Sequence, residues 1–226
     1  MAAFDFDGTL VDSYSCLPPV WRRAGEEAGL KGGILGRFAD VAYRLEDEME
    51  REGVWDRLRV IKSALEEVGV DFDPKSLLEV YWRERIGGTK VLPCVYEVLS
   101  MSRERGLVVA CMTWDDGIPS LKRQRIALAG LYEHFHEVII AGGDVESKSE
   151  ALIRLSRKYK VPRDRVFLVD DRAECIMEVM SAGFQAILIR SKYSREGQVD
   201  VPVLSSLCEL MSLLGGPGEV HGGGRA

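Results

Sequence analysis

The amino-acid sequence predicts an α/β protein: a doubly wound parallel sheet, Rossmann-like in layout, with an inserted all-helical segment. Two observations predict this class. After residue 88, apolar runs of strand length alternate with amphipathic stretches, the pattern that right-handed crossovers around a parallel sheet produce. Between residues 14 and 88, the apolar residues show only helical spacing.

The composition fits one large domain or a core with a modest insertion. Of the 226 residues, 46% are hydrophobic and 29% are charged, which is enough to build a full core. The net charge of -6, with lysines and arginines scattered among acids, argues against nucleic-acid and anionic-membrane partners. No apolar stretch approaches the roughly 18 residues that a membrane-spanning helix needs.

The five cysteines are spread singly along the chain, with no C-x-x-C pair. This pattern fits neither a disulfide framework nor a zinc site. The first residues also run directly into a predicted strand, which leaves no room for a signal peptide. We therefore expect a protein of the reducing cytoplasm.

The predicted core begins with a short strand, residues 2–6. The runs LVVACMT and VFLVDD are apolar almost throughout, as expected for central strands covered on both faces. The predicted elements then follow in the order helix 95–105, strand 107–113, helix 119–129, strand 137–141, helix 149–159, strand 166–171, helix 173–181, strand 184–189 and helix 204–214.

The inserted segment is predicted to hold about four helices. The fourth begins at Pro74 after Asp73, a favoured N-cap residue. We therefore predict a catalytic core of residues 1–13 and 89–215 and a helical cap of residues 14–88. The glycine-rich tail, residues 216–226, is predicted to be disordered.

A pair of acids follows the first strand. Asp5 and Asp7 stand one residue apart, and Gly8 favours a turn directly after them. Two carboxylates at the end of a buried strand cannot both stay ionised cheaply unless a cation or a proton compensates them. An Asp-Gly turn is the purely structural alternative. Fold stability does not require this pair, which therefore indicates a site.

Further polar residues fall at the carboxyl ends of other strands, where ligands bind in a doubly wound sheet. Thr113 ends the second strand, Asp170 and Asp171 end the fourth, and Lys148 stands where the helix after the third strand begins. Carboxylate oxygens suit Mg²⁺, and the Lys and Thr side chains would bind the same anion as the metal. The set indicates a phosphoryl group as the reacting part of the substrate, with helix capping as the alternative for residues 170–171.

The order Asp-x-Asp-Gly-Thr, strand-end Thr, Lys and Asp-Asp resembles the four motifs of the haloacid dehalogenase-like (HAD) hydrolase superfamily. The stretch FDFDGTLVDS resembles the phosphatase branch that carries a helical cap inserted after the first motif. The resemblance implies a Mg²⁺-dependent phosphatase of small phosphomonoesters, whose cap closes over the site and excludes water. We expect it to act on a small phosphorylated metabolite as a monomer or homodimer.

The resemblance also implies a role for each residue. Asp5 would be the nucleophile that forms an aspartyl-phosphate, and Asp7 would protonate the departing alkoxide and then take a proton from water. That division needs Asp5 held ionised by the metal and Asp7 free to carry a proton. The metal would be held by Asp5, the backbone carbonyl of Asp7, Asp171 and, directly or through water, Asp170. The phosphate oxygens would be bound by Thr113, the backbone of Trp114, and Lys148.

Three positions depart from the pattern of the family, the smallest change being that Lys148 lacks the proline that commonly follows it. Trp114 replaces the Asn that usually follows the strand-end Thr, and Cys175 is a poor replacement for a hard ligand of the fourth motif. Asp115 and Asp116 are interpreted as turn and cap residues, because further acids beside a phosphate would repel it.

Three other functions stay open at this point. A phosphomutase of the same superfamily keeps both acids after the first strand. A non-catalytic phosphate-binding protein on the same fold would tolerate Trp114 and Cys175. A phosphorylation-dependent receiver domain also places acids, Thr and Lys on a parallel sheet, but it is much shorter and lacks the helical insertion.

Overall fold

Short strands and longer helices alternate along the described part of the chain, residues 1–194 and 199–215 of a computed structural model. The strands are β1 (Ala2–Phe4), β2 (Val11–Asp12), β3 (Lys90–Val91), β4 (Val109–Trp114), β5 (Glu137–Ala141), β6 (Phe167–Asp170), β7 (Gln185–Ile189) and β8 (Val203–Leu204). The helices are α1 (Leu17–Glu27), α2 (Gly32–Arg51), α3 (Arg57–Val68), α4 (Pro74–Gly88), α5 (Val95–Glu104), α6 (Leu121–Leu128), α7 (Lys148–Tyr159), α8 (Ala173–Ser181) and α9 (Leu207–Gly215). The tail predicted to be disordered, residues 216–226, lies outside the described residues.

Six strands form one parallel sheet in the order β5-β4-β1-β6-β7-β8. The central strand β1 pairs with β4 and β6, so that Phe4 stands opposite both Cys111 and Val169. This register brings the carboxyl ends of the three strands to one edge of the sheet. The predicted Rossmann-like α/β fold is confirmed.

Helices cover both faces of the sheet, which explains why the central strands are apolar throughout. Successive side chains of a strand point to opposite faces. Ala2 and Phe4 pack into a cluster with residues of α5, α6 and α9, whereas Ala3 packs with residues of α7 and α8. The helices thereby fix the sheet edge at which the polar residues emerge.

The chain leaves the core after β2 and forms four helices, α1 to α4, before it returns in β3. These helices bury a separate apolar cluster that includes Trp21, Phe38, Ile61 and Tyr81. Asp73 caps α4 by accepting hydrogen bonds from the backbone of the next turn, with Pro74 in its first turn, as predicted. We call this part of the chain, residues 17–88, the helical segment.

A two-stranded antiparallel ribbon joins the helical segment to the core. Val11 pairs with Val91 and Asp12 with Lys90, so the outgoing and returning chains lie side by side. The ribbon and β8 are absent from the predicted elements, because strands of two residues carry no periodic signal.

Cys94 and Cys208 form a disulfide bond that ties the start of α5 to α9 across 114 residues. The expectation of a chain without a disulfide was wrong, because two cysteines far apart in sequence leave no spacing signal. The cytoplasmic location was inferred from the cysteine pattern and stays a prediction. No helix in the described part of the chain is long and apolar enough to cross a bilayer.

Candidate active site

Lys148 bridges two of the predicted acids. Its Nζ donates to Asp5 Oδ1 and to Asp170 Oδ2, both at 2.6 Å. The three side chains are almost fully buried, and they come from the end of β1, the start of α7 and the end of β6. Burial opposes the charge of Lys148, but Asp170 and Asp5 outweigh it and hold its pKa well above the usual range. The sheet edge therefore holds a buried, hydrogen-bonded ammonium between two carboxylates.

Asp171 is the acid of this edge whose ionised form is the most costly to bury. Its carboxylate is completely buried, and neither oxygen has a partner at hydrogen-bonding distance among the described residues, although the nearby Ser191 side chain acts against the rise of its pKa. Burial first, and then the charges of Asp170 and Asp5, raise the pKa of Asp171 well above its usual value. A buried carboxylate without a partner is costly, so this group calls for a cation or a proton.

The acids at this edge fit a divalent metal ion. One carboxylate oxygen from each of Asp5, Asp170 and Asp171 lies within 4.8 Å of the others. Such a set of hard oxygen ligands suits Mg²⁺, and by coordinating the ion the unpartnered oxygens of Asp171 would be satisfied. The predicted metal residues are therefore brought together around one point.

Gly8 makes the close approach of these groups possible. Its φ of +81° is in the left-handed region, and a Cβ there would overlap the Asp171 carboxylate and lie 2.5 Å from Tyr14 Cε2. The glycine after Asp7 thus serves both the turn and the space beside the acids. The Asp7 carbonyl, predicted as a metal ligand, accepts a hydrogen bond from the Tyr14 hydroxyl at 3.3 Å.

Asp7 is held by cations rather than free. Its carboxylate accepts hydrogen bonds from Lys122 and Arg125 of α6, and both cations also contact Asp116. Burial opposes ionisation, but the charges of Arg125, Lys122 and Arg85 outweigh it and keep the pKa of Asp7 well below its usual value. We call Asp7, Asp116, Lys122 and Arg125 the α6 clamp.

The two catalytic candidates therefore have the reverse of the expected proton affinities in this structure. Burial raises the pKa of Asp5 to about 6, with Lys148 acting against it, whereas Asp7 is the strongly ionised partner. The expectation that Asp7 is free to carry a proton does not hold for this arrangement, because sequence reasoning missed the α6 clamp. The interpretation of Asp116 as a simple turn or cap residue was wrong, since it is buried and paired with two cations.

The remaining predicted residues meet Asp5 and Asp7 in one small cavity. Thr113, Trp114 and Lys148 line it together with both acids, and its volume is about 40 Å³. Thr113 and Lys148 are buried, and Trp114 is half-buried at the end of β4. Asp170 and Asp171 are completely buried beside Asp5 and do not line the cavity.

The helical segment forms the opposite wall of this cavity. Glu50, Trp55, Arg57 and Arg85 line it from above the sheet edge. Arg172, which follows the paired acids, donates to the Glu50 carbonyl at 3.2 Å and stacks on Trp55 at 4.5 Å. The helical segment and the acidic edge of the sheet, which is formed by Asp5, Asp170 and Asp171, are thus joined by direct contacts.

A buried polar cluster holds the arginines of this wall in place. Glu46 accepts hydrogen bonds from Trp21, Tyr81 and Arg85, and Arg57 pairs with Glu46 and Glu50. These residues sit on α1 to α4, so the cluster crosslinks all four helices.

Several of these residues were missed from the sequence. Lys122 and Arg125 are buried on one face of α6, and cations at that spacing on an inward face were the available signal. Glu46, Glu50 and Arg57 gave no comparable signal, because their pairing depends on how the four helices pack.

Cys175 is a buried, neutral thiol on α8. Burial raises its pKa, and Asp170 contributes in the same direction. It is not part of the cluster of possible metal ligands found among the described residues. The candidate metal site is therefore built from carboxylates.

Comparisons with known proteins agree with this geometry. The haloacid dehalogenase-like hydrolase family matches residues 1–178. A phosphoserine phosphatase of Thermus thermophilus is 30% identical over 171 residues, a match that covers 61% of this chain and 66% of that relative.

Solved structures with low sequence identity share the fold. A Thermotoga maritima protein assigned as a β-phosphoglucomutase superposes with a TM-score of 0.75 at 18% identity, covering 95% of this chain and 97% of its own. A HAD phosphatase from Thermococcus onnurineus superposes with a TM-score of 0.61 at 24% identity, covering 95% of this chain and 97% of its own. The L-2-haloacid dehalogenase of Xanthobacter autotrophicus superposes with a TM-score of 0.64 at 17% identity, covering 96% of this chain and 98% of its own. The family match, which extends over most of the chain, and the arrangement of the acids lead to one conclusion: this protein belongs to the haloacid dehalogenase-like hydrolases.

Proposed function

We propose that the protein is a Mg²⁺-dependent phosphatase that hydrolyses a small phosphomonoester through an aspartyl-phosphate on Asp5. The observation that carries the proposal is the placement of Asp5. Asp5 lines the cavity beside Lys148 and shares the acidic edge of the sheet with Asp170 and Asp171. The phosphoserine phosphatase relative supports the same reaction class.

Asp5, Asp171 and the Asp7 carbonyl would hold Mg²⁺, with Asp170 assisting directly or through water. When bound, the ion would neutralise charge on the phosphoryl oxygens and orient them toward the nucleophile. Lys148 and Thr113 would bind the same oxygens from the protein side. Lys148 already neutralises Asp5 in part, which reduces the repulsion between that carboxylate and an incoming phosphate.

Asp7 would exchange protons with the leaving group and with the hydrolytic water. In the α6 clamp it is ionised, so it is ready to accept a proton from water when the aspartyl-phosphate is hydrolysed. To protonate a departing alkoxide it must first carry a proton, which requires looser contacts with Lys122 and Arg125. We propose that the clamp relaxes when substrate and helical segment close together, and that this segment acts as the cap that excludes water.

Phosphate release tests the proposal directly. Phosphorylated sugars, phosphoglycolate, L-phosphoserine and nucleotides are incubated with Mg²⁺, with and without a chelator. We expect release from at least one compound, loss of release with chelator, and a loss of at least about a thousandfold in Asp5→Asn. The exposed Asp40 provides the matched control, and Asp40→Asn should behave as wild type. A protein that releases no phosphate, or whose Asp5→Asn variant stays active, would overturn the proposal.

Isomerisation of a sugar phosphate without net phosphate release would instead identify a phosphomutase. Metal binding has its own readout, because a ligand of the folded state raises the melting temperature. Mg²⁺ should raise it in wild type and not in Asp171→Asn. Equal Mg²⁺ shifts in the two proteins would exclude Asp171 as a ligand.

A further inference from the structure

The catalytic cavity is too small for a whole substrate. Its volume of about 40 Å³ is far below the roughly 300–1,000 Å³ of pockets that bury a whole small molecule. That is space for a phosphoryl group and little more. The alcohol part of a phosphomonoester must therefore occupy a neighbouring space.

One neighbouring groove has the required size and position. It has a volume of about 700 Å³ and runs between the helical segment and the loop after β4. Trp55, Arg57, Trp114, Asp115 and Asp116 line both the groove and the catalytic cavity. The groove is thus the direct continuation of the phosphate site.

Two indole rings flank the passage between these spaces. The rings of Trp55 and Trp114 are nearly parallel, with an interplanar angle of 22° and centroids 6.5 Å apart. Both side chains are half-buried and line the groove, so each exposes part of its ring there, while Arg172 stacks on one face of Trp55. Trp82 adds a third indole, and Leu58, Leu78 and Ile118 complete an apolar wall.

The charges along the groove select against an anionic leaving group. Asp56 and Asp115 are acidic, Asp116 is already paired with Lys122 and Arg125 in the α6 clamp, and Arg57 is the one cation that lines this groove in the described part of the chain. Arg57 already pairs with Glu46 and Glu50 and donates to the Trp55 carbonyl. A carboxylate on the substrate would therefore meet acids without a free cation, whereas an uncharged ring would meet apolar and aromatic surface.

We propose that this groove is the leaving-group subsite and that it takes an uncharged aromatic ring carried on a primary alcohol. The inference rests on the proposed phosphatase function and names its substrate class. Flat rings pack well against indole faces, and burial of a ring-sized apolar group strengthens binding.

The test compares benzyl phosphate with methyl phosphate, two esters of primary alcohols of similar acidity. We expect kcat/KM for benzyl phosphate to be about 10- to 100-fold higher, the range that burial of a ring-sized group gives. L-Phosphoserine, whose leaving group is small and charged, should be used no better than methyl phosphate. A ratio near one, or a preference for L-phosphoserine, would overturn the proposal.

Variants of the apolar wall locate the preference. Ile118→Ser and Leu78→Ser should lower the benzyl-to-methyl ratio several-fold. Ile34 is 53% exposed on α2, away from the groove lining, so Ile34→Ser is the matched control and should keep the wild-type ratio. Ratios that are the same in all three variants and wild type would contradict the assigned location.

Binding separates this proposal from the phosphatase function itself. Calorimetric titration of Asp5→Asn with Mg²⁺ and each ester reports affinity without turnover. Tighter binding of benzyl phosphate by at least about tenfold supports the subsite even if no ester is hydrolysed. Hydrolysis of methyl and benzyl phosphate at equal rates, with equal affinities, would leave the phosphatase function standing and refute the subsite.

Discussion

Asp5 combines a buried position with a nearby ammonium, and the two act on its proton in opposite directions. Burial, followed by the charges of Asp170 and Asp7, outweighs Lys148 and raises its pKa from 3.8 to about 6. Between these pH values the folded protein keeps a proton that the unfolded chain has released. Stability is therefore lost as the pH rises through this window, by about 3 kcal/mol in total.

Because of this effect, we expect Asp5→Asn to stabilise the protein relative to wild type, in the presence of chelator, by an amount that depends on pH. The free energy of unfolding of the variant, relative to wild type, should increase from pH 4 to pH 7 by up to about 3 kcal/mol. Urea denaturation at each pH measures it. Asp40→Asn is the control for replacing an aspartate at an exposed position. A relative stability that does not change with pH, or that matches the control, would show that burial does not dominate at Asp5.

At the scale of a single element, α6 carries two arginines in very different surroundings. Arg125 is almost fully buried and pairs with Asp7 and Asp116, whereas Arg123 pairs with Asp144 on the surface. Removing one partner of a buried ion pair leaves an uncompensated charge, which a surface pair does not do. Arg125→Met should therefore destabilise the protein by about 3–5 kcal/mol, and Arg123→Met by less than about 1 kcal/mol.

Urea denaturation of the two α6 variants at neutral pH gives the comparison. Both lose one arginine from the same helix, so helix propensity and net charge change equally. Equal losses of stability would mean that the α6 clamp does not fix Asp7.

Arg172 connects the acidic edge to the helical segment. It donates to the Glu50 carbonyl, and its guanidinium lies 4.5 Å from the ring centroids of both Trp55 and Tyr193. Arg172→Ala should loosen the closed arrangement and lower kcat/KM about 10- to 100-fold, because small displacements of reacting groups are costly. Arg172→Lys, which keeps the charge, should recover part of the loss.

Small-angle scattering supplies the structural readout, with a larger radius of gyration expected for Arg172→Ala. Arg163 is a suitable control, since it also donates to a backbone carbonyl and stacks on a ring, that of Phe184. Arg163→Ala should leave both the activity and the radius unchanged. An Arg172→Ala protein with wild-type activity and radius would exclude the linking role.

Features that lie within one element could be predicted from the sequence, whereas most contacts between elements could not. The central strands and core helices were predictable because apolar runs and turn residues are local features of the chain. Asp5, Thr113, Lys148 and Asp170 could be placed together for the same reason, because parallel strands bring their carboxyl ends to one edge of the sheet. The spacing of Lys122 and Arg125 on α6 was a local signal of buried cations, but their pairing with Asp7 and Asp116 and the contacts of Arg172 depend on how separate elements pack, which no local pattern encodes.

For the molecule as a whole, the Cys94–Cys208 disulfide ties the C-terminal helix to the core. The helices α5 and α9 pack together in one apolar cluster, to which Val98, Leu99 and Leu210 belong. The bond closes a loop with a sequence separation of 114 residues, which contains β4 to β8 and two acids of the acidic edge, Asp170 and Asp171. A crosslink of this span restricts the unfolded chain much more than the folded one.

Loss of this bond should therefore lower stability throughout the molecule rather than at α9 alone. For a loop of about 100 residues, the chain-entropy estimate is about 4–5 kcal/mol. That corresponds to a fall in melting temperature of about 10 °C or more for a chain of this size. The Cys94→Ser/Cys208→Ser protein should show this fall, and a reducing agent should reproduce it in wild type without further effect on the double variant.

Cys16 is a free cysteine, so Cys16→Ser is the matched control and should keep both the wild-type melting temperature and its sensitivity to reduction. If reduction leaves the melting temperature of wild type unchanged, the disulfide does not constrain the unfolded chain, and the stability of the sheet must come from its packed core alone.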